Sequence, residues 1–180
     1  MKNNKILVHC CCAICAGYPL EKLSLDFEPV AYFYNPNLYP AQEYEKRLDA
    51  MQTLCDYNKV DLIKGDYKIE EYDDYMQDFA KMREGSARCP KCFEFRLEKT
   101  CQKAKELGIN QFTTTLSVSP HKNFNTIKQI GDRLAKKYNL TFVDYNFKKK
   151  DGFLKTTRIA KTLNLYRQNY CGCKNSLPES

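Results

Sequence analysis

The chain has 180 residues, is 43% hydrophobic and 28% charged, and carries a formal net charge of +7. This is an ordinary globular composition, and the length suits one domain whose core buries roughly 70% of its unfolded surface without staples. No apolar run approaches the ~20 residues that span a bilayer, and the first dozen residues lack the apolar stretch and cleavage site of a secretory signal. The expectation is therefore a cytoplasmic protein with no membrane partner.

Residues 5–9 (KILVH) form a short apolar run that suits a buried strand, and 16–25 follow with helical character. Residues 29–34 (PVAYFY) are rich in β-branched and aromatic side chains and stop at the turn Asn35-Pro36-Asn37. Tyr44, Leu48, Met51, Leu54 and Cys55 keep helical spacing over 41–57, and 59–63 make a third strand ending at Gly65-Asp66. An acidic helix is expected over 69–82, a second over 92–107 closed by Gly108, and a strand of β-formers over 111–116. A basic helix over 124–138, a fifth strand over 141–145 and a short helix over 153–163 complete the pattern. Strands alternating with helices imply a single α/β domain over residues 1–180. Its parallel sheet of about five strands is covered by helices, with the functional site at the carboxyl rim of the strands.

Charge is uneven along the chain. Residues 1–120 hold 16 Lys and Arg against 18 Asp and Glu, whereas residues 121–170 hold 12 against 3. A basic region of this kind, about 121–170, is the footprint of a polyanion, with tRNA or another RNA as the natural partner.

The cysteines carry the most information. There are ten, and most fall in three groups: His9-Cys10-Cys11-Cys12-Ala13-Ile14-Cys15, Arg88-Cys89-Pro90-Lys91-Cys92, and Tyr170-Cys171-Gly172-Cys173 in a C-x-C tail (171–180). In a reducing compartment such clusters bind metal or do redox chemistry rather than form structural disulfides. The first group stands where a strand enters a helix, the place where related sheets cradle phosphate, but it has no glycine-rich loop. Thiols there ionise more easily, which favours ligation. More thiols gather than the four that one tetrahedral zinc uses, and the spacing suits an iron–sulfur cluster with additional redox or metal-binding sulfurs; zinc stays open on spacing alone. Cys55 and Cys101 stand alone in predicted helices and read as core residues.

Taken with Tyr34-Asn35-Pro36-Asn37, Glu43-Tyr44, Arg47, Phe93, Arg96-Leu97 and Leu165-Tyr166-Arg167-Gln168, the three cysteine groups resemble the QueH family of epoxyqueuosine reductases from about residue 5 to 176. The resemblance implies a Rossmann-like, pyrophosphatase-loop-like fold. The activity it implies is deoxygenation of epoxyqueuosine to queuosine in the anticodon loop of tRNA, the last step of queuosine biosynthesis, without cobalamin. It implies a [4Fe-4S] cluster held by Cys11, Cys12, Cys89 and Cys92, with Cys171 and Cys173 as a redox-active pair. Cys15 is then left beside the cluster and would join Cys171 or Cys173 around a second, mononuclear iron; Cys10 occupies a position that the family pattern leaves free. The reaction consumes two electrons and two protons from an unidentified donor. Asp66, Tyr34 and His121 follow strands and are candidates for the acid or orienting group. Lys148, Lys149, Lys150, Arg158, Lys161 and Arg167 are the expected tRNA-binding side chains, with Tyr39, Tyr166 and Tyr170 as candidate base-stacking groups. Two other readings stand beside this one: a zinc-stabilised RNA-binding module without catalysis, and an ATP-dependent tRNA sulfur transferase of related fold.

Overall fold

A computed structural model describes residues 4–177, so residues 1–3 of the expected domain and 178–180 of the C-x-C tail lie outside the described residues. Five strands form one sheet: β1 (Lys5–His9), β2 (Glu28–Phe33), β3 (Asp61–Lys64), β4 (Gln111–Thr114) and β5 (Thr141–Phe142). Every pairing is parallel and the order is β3-β2-β1-β4-β5, the doubly wound order of Rossmann-like sheets. The interior of β1 shows why it is central. Ile6, Leu7 and Val8 are all fully buried, as expected of a strand covered on both faces.

Among the described residues five α-helices lie between the strands, α1 (Ala13–Leu23), α2 (Ala41–Asn58), α3 (Ile69–Tyr75), α4 (Arg88–Glu106) and α5 (Phe124–Tyr138), and α6 (Gly152–Thr162) follows β5. α1 packs on α2 and α6, while α4 packs on α5. Right-handed crossovers leaving β1 in one direction and β4 in the other put these two groups on opposite faces. The order reverses between β1 and β4, so the crevice at their carboxyl ends is the expected ligand site.

Two helices begin earlier than their sequence suggests. α1 starts at Ala13 rather than 16, and α4 at Arg88 rather than 92. The residues before them, Cys12 and Ala87, make no side-chain capping bond, so the usual Ser, Thr, Asp or Asn signal is absent. Pro90 is accommodated because the N–H it lacks would have no partner in a first helical turn. β4 ends early because the Thr114 hydroxyl accepts the Leu116 N–H at 3.1 Å, turning the chain into a 3₁₀ segment over Thr115–Val118. The acidic helix closes at Tyr75, and β5 is a two-residue edge strand rather than a five-residue one. No helix of the described residues is long and apolar enough to cross a membrane.

Candidate metal centre

The loop after β1 and the segment after β4 meet at the switch point, and both line one cavity of about 770 Å³. Cys11 and Cys12 line it from the loop between β1 and α1, Cys15 from α1, Cys89 from α4 and Cys171 from the C-terminal segment. All three cysteine groups therefore converge on one place. The ligand atoms of Cys11, Cys12 and Cys15 lie within 4.8 Å of one another, and all three residues are buried. Cys92 is buried one turn beyond Cys89, beside the Tyr72 hydroxyl. Cys173 is buried and joined to Cys171, and its Sγ lies 3.4 Å from the Ser176 hydroxyl.

The thiols share protons. Cys12 and Cys15 donate to Cys11, which also takes a hydrogen bond from Thr115 at 3.4 Å, so Cys11 is held well below the usual thiol range. Cys12 is correspondingly pushed up to about 11, and Cys15 well up, chiefly because each gives its proton to Cys11. In the same way Cys171 donates to Cys173, raising the first thiol and lowering the second. The first and third groups thus each hold one thiol, Cys11 and Cys173, that ionises more readily than its neighbours. The first turns of α1 and α4 both line the cavity, and the positive ends of two helix dipoles favour that ionised form.

Two cations complete the environment. Arg96, buried on α4, donates to the Asn35 side-chain oxygen at 3.0 Å, while the Asn35 amide donates to the Cys10 carbonyl at 2.9 Å. The buried Arg96 Nε has no hydrogen-bond partner among the described residues. Burial opposes its charge, and the sulfurs of Cys92, Cys11 and Cys171 outweigh that. Lys122 lines the cavity from the segment after β4, and Cys11, Cys171 and Cys15 raise its pKa despite burial. Below them His9 is fully buried, and burial with the charge of Arg96 depresses it to about 3. The neutral ring donates from Nε2 to the Tyr34 carbonyl at 3.2 Å and accepts at Nδ1 from Thr114 at 2.9 Å, tying the ends of β1, β2 and β4 together.

The C-terminal segment is strapped down. Arg47 on α2, ion-paired with Glu43 at 2.7 Å, donates to the carbonyls of Cys171 at 2.9 Å and Tyr170 at 3.1 Å. Tyr166 donates to the other Glu43 oxygen at 2.7 Å, and the Tyr39 N–H donates to the Gly172 carbonyl at 2.8 Å. Gly172 has φ 114°, and a Cβ there would stand 2.3 Å from Leu38 and 2.8 Å from Arg47. Only glycine lets the C-x-C lie this close to α2. Gln168 donates to Cys12 at 2.8 Å, joining the strap to the first cysteine group.

Other expected site residues fall in different places. His121 and Arg167 line the cavity, whereas Asp66 is exposed, ion-pairs with Lys68 at 3.2 Å and is not among the lining residues. Tyr34 is buried and its ring stacks on Tyr32. Tyr166 and Tyr170 belong to the strap, the latter with its ring against Arg47; Tyr39 is exposed, with Lys174 over its ring. Lys148 donates to the Lys122 carbonyl, while Lys149, Lys150, Arg158 and Lys161 are exposed. Cys10 turns away, donating to the Val8 carbonyl at 3.3 Å, and Cys55 and Cys101 are fully buried in helices. Lys122 has no signal in the sequence beyond following a strand, and the roles of Arg96, Glu43 and Arg47 need the third dimension.

Convergent buried thiols, ringed by cations at the switch point of a parallel sheet, define an α/β protein with a candidate thiolate metal centre. Comparison with known proteins narrows that class. The family model described as Epoxyqueuosine reductase QueH matches residues 6–179, and the chain belongs to that family. It is 37% identical over 174 residues to "Epoxyqueuosine reductase QueH" of Streptococcus pyogenes serotype M1, covering 93% of this chain and 68% of that protein. With the protein of the same name from Thermotoga maritima the identity is 38% over 180 residues, covering 97% and 91%. With that of Haemophilus influenzae it is 36% over 180 residues, covering 99% and 74%.

Proposed function

We propose that this protein reduces epoxyqueuosine to queuosine in the anticodon loop of tRNA, acting in the cytoplasm as one α/β unit. The observation that carries the reading is the convergence of three cysteine groups on one cavity in a chain of the QueH family. The donor set fits an iron–sulfur centre: soft thiolates are gathered, two helix N-termini face them, and the unpartnered Nε of buried Arg96 suits an anionic sulfur. Cys11, Cys12, Cys89 and Cys92 would hold a [4Fe-4S] cluster, and Cys15 with Cys171 or Cys173 a second iron. When bound, such a centre supplies electrons one at a time and accepts electron density from thiolates.

The chain's own groups account for the rest of the balance. Opening the epoxide to an alkene takes two electrons and two protons and releases water. The Cys171 thiol and the Cys173 thiolate can deliver both electrons and one proton, with the second proton drawn from solvent, becoming a disulfide that an external electron donor must reduce again. Lys122 and Arg96 keep the cavity positive while thiolates form, and His9, held neutral, fixes the strand ends without titrating near neutral pH. The strap places the C-x-C beside the first cysteine group and shields it from water.

Anaerobic reconstitution followed by iron and sulfide analysis, with tRNA carrying epoxyqueuosine as substrate, tests this reading. The expected result is a brown protein that forms queuosine. Cys171→Ser and Cys173→Ser should retain the cluster spectrum and tRNA binding yet fail to turn over. Colourless protein with stoichiometric zinc and no turnover would overturn the reading.

RNA binding has a separate test. Lys149 and Lys150 are exposed and without ion-pair partners among the described residues, whereas Lys148 is tied to a carbonyl. Replacing Lys149 and Lys150 by Ala should weaken tRNA binding and lower the log–log salt slope by about 0.7–0.9 per lost phosphate contact. Cluster content should not change. Unaltered affinity and slope would remove this turn from the interface.

A further inference from the structure

Phe153 is the second residue of α6, and it is 44% exposed although it lines the cysteine cavity. Its ring therefore forms part of the cavity rim, beside a second exposed apolar side chain, Leu154. Buried aromatics are commonplace, but a ring left bare at the rim of a candidate active site marks a contact surface.

The position of the ring is fixed by the backbone beneath it. A Cβ on Gly152 would stand 1.6 Å from the Phe147 carbonyl oxygen, so the start of α6 sits against that buried residue as only glycine permits. One turn on, Thr156 donates to the Ile14 carbonyl and accepts the Tyr18 N–H at 3.3 Å, locking α6 onto α1. α1 is the helix that carries Cys15 in its first turn and follows directly on Cys11 and Cys12. Phe153 is thus held at a set offset from the thiols rather than on a wandering loop.

Charge decides what the ring meets. Lys149 and Lys150 precede it, Lys155 and Arg158 follow it on α6, and Arg167 lines the same cavity. A flat apolar surface within a field of cations matches a ligand with an anionic backbone and flat, unpaired rings, which is a single-stranded nucleic acid. We propose that Phe153 is a platform on which an unpaired base of the RNA loop stacks while the neighbouring nucleotide enters the cysteine cavity. This rests on the tRNA reading above and names the side chain that positions the loop.

The chain contains no tryptophan, so Phe153→Trp places a single tryptophan at the rim, which can be excited selectively over the 13 tyrosines. Titration of the full-length protein with an anticodon stem-loop RNA should quench its emission, saturating in step with binding followed by anisotropy of the labelled RNA. Phe153→Leu, which keeps apolar bulk but no ring, should bind the stem-loop about tenfold or more weakly with an unchanged salt slope, whereas Phe153→Tyr should bind as wild type does. Unquenched tryptophan, or wild-type affinity in Phe153→Leu, overturns the stacking role while leaving RNA binding in place. Failure of the wild-type protein to bind the stem-loop overturns the RNA reading, and the platform with it.

Discussion

Cys12→Ser is expected to abolish metal loading and reductase activity together. Cys12 is the residue from which α1 springs, it lies within 4.8 Å of Cys11 and Cys15 at its sulfur, and it receives the Gln168 hydrogen bond. A hydroxyl is a harder and far less acidic donor than a thiol, so it does not replace the sulfur as a ligand to iron. Loss of even an outer partner of a metal ligand costs 10–100-fold, so losing a ligand itself should lower turnover by roughly 100-fold or more. Cys89→Ser and Cys92→Ser should behave alike, with iron and sulfide falling in step with activity. Cys15→Ser should instead keep the cluster spectrum and lose about one iron. Full cluster content in Cys12→Ser, Cys89→Ser or Cys92→Ser would refute the proposed division of the sulfurs, as would loss of the cluster spectrum in Cys15→Ser.

The second large effect is structural. In Arg47→Ala the buried Glu43 carboxylate loses its cationic partner and keeps only the Tyr166 hydroxyl, and the carbonyls of Tyr170 and Cys171 lose their donors. Breaking one side of a buried ion pair costs about 3–5 kcal/mol, which for a protein of this size lowers the melting temperature by roughly 10 °C. The strap should also loosen, so Cys171 and Cys173 become open to alkylation in the folded protein. Lys at this position keeps a charge but not the planar fork that serves three acceptors, so Arg47→Lys should rescue stability only in part. Unchanged melting and unchanged alkylation would show that the segment is held by other means.

Much of the fold was legible in the sequence, because the strands are short runs of apolar or β-forming residues and alternation with helices has few topological solutions. What stayed hidden follows from physics that spacing does not carry. The starts of α1 and α4 were displaced because cysteine and alanine stand where a capping side chain is usual, so C-x-x-C lies within a first turn rather than ahead of it. That the first cysteine group stands at the site was readable from the strand-end rule, whereas the second and third follow no strand directly and were tied to it only by the family resemblance. The cations were not readable: Lys122 and Arg96 look like any basic side chains until β4 and α4 bring them to the thiols. Asp66 followed a strand as the rule required, yet β3 is an edge strand, and the Asp66 side chain is exposed and does not line the cavity.

The strap also bears on the order in which the site comes into being. Arg47 is made early and grips carbonyls more than 120 residues further along, and Gln168 reaches back to Cys12 over a similar distance. A nascent chain that has emerged through β4 already holds both strands of the β1–β4 switch point and the first two cysteine groups, but not the C-x-C. That part of the site is missing until residues 166–173 leave the ribosome. Thiols would meet oxygen or stray metal during that interval, so faithful loading should follow closure of the strap, and ribosome-stalled fragments ending before Tyr166 should take up metal indiscriminately.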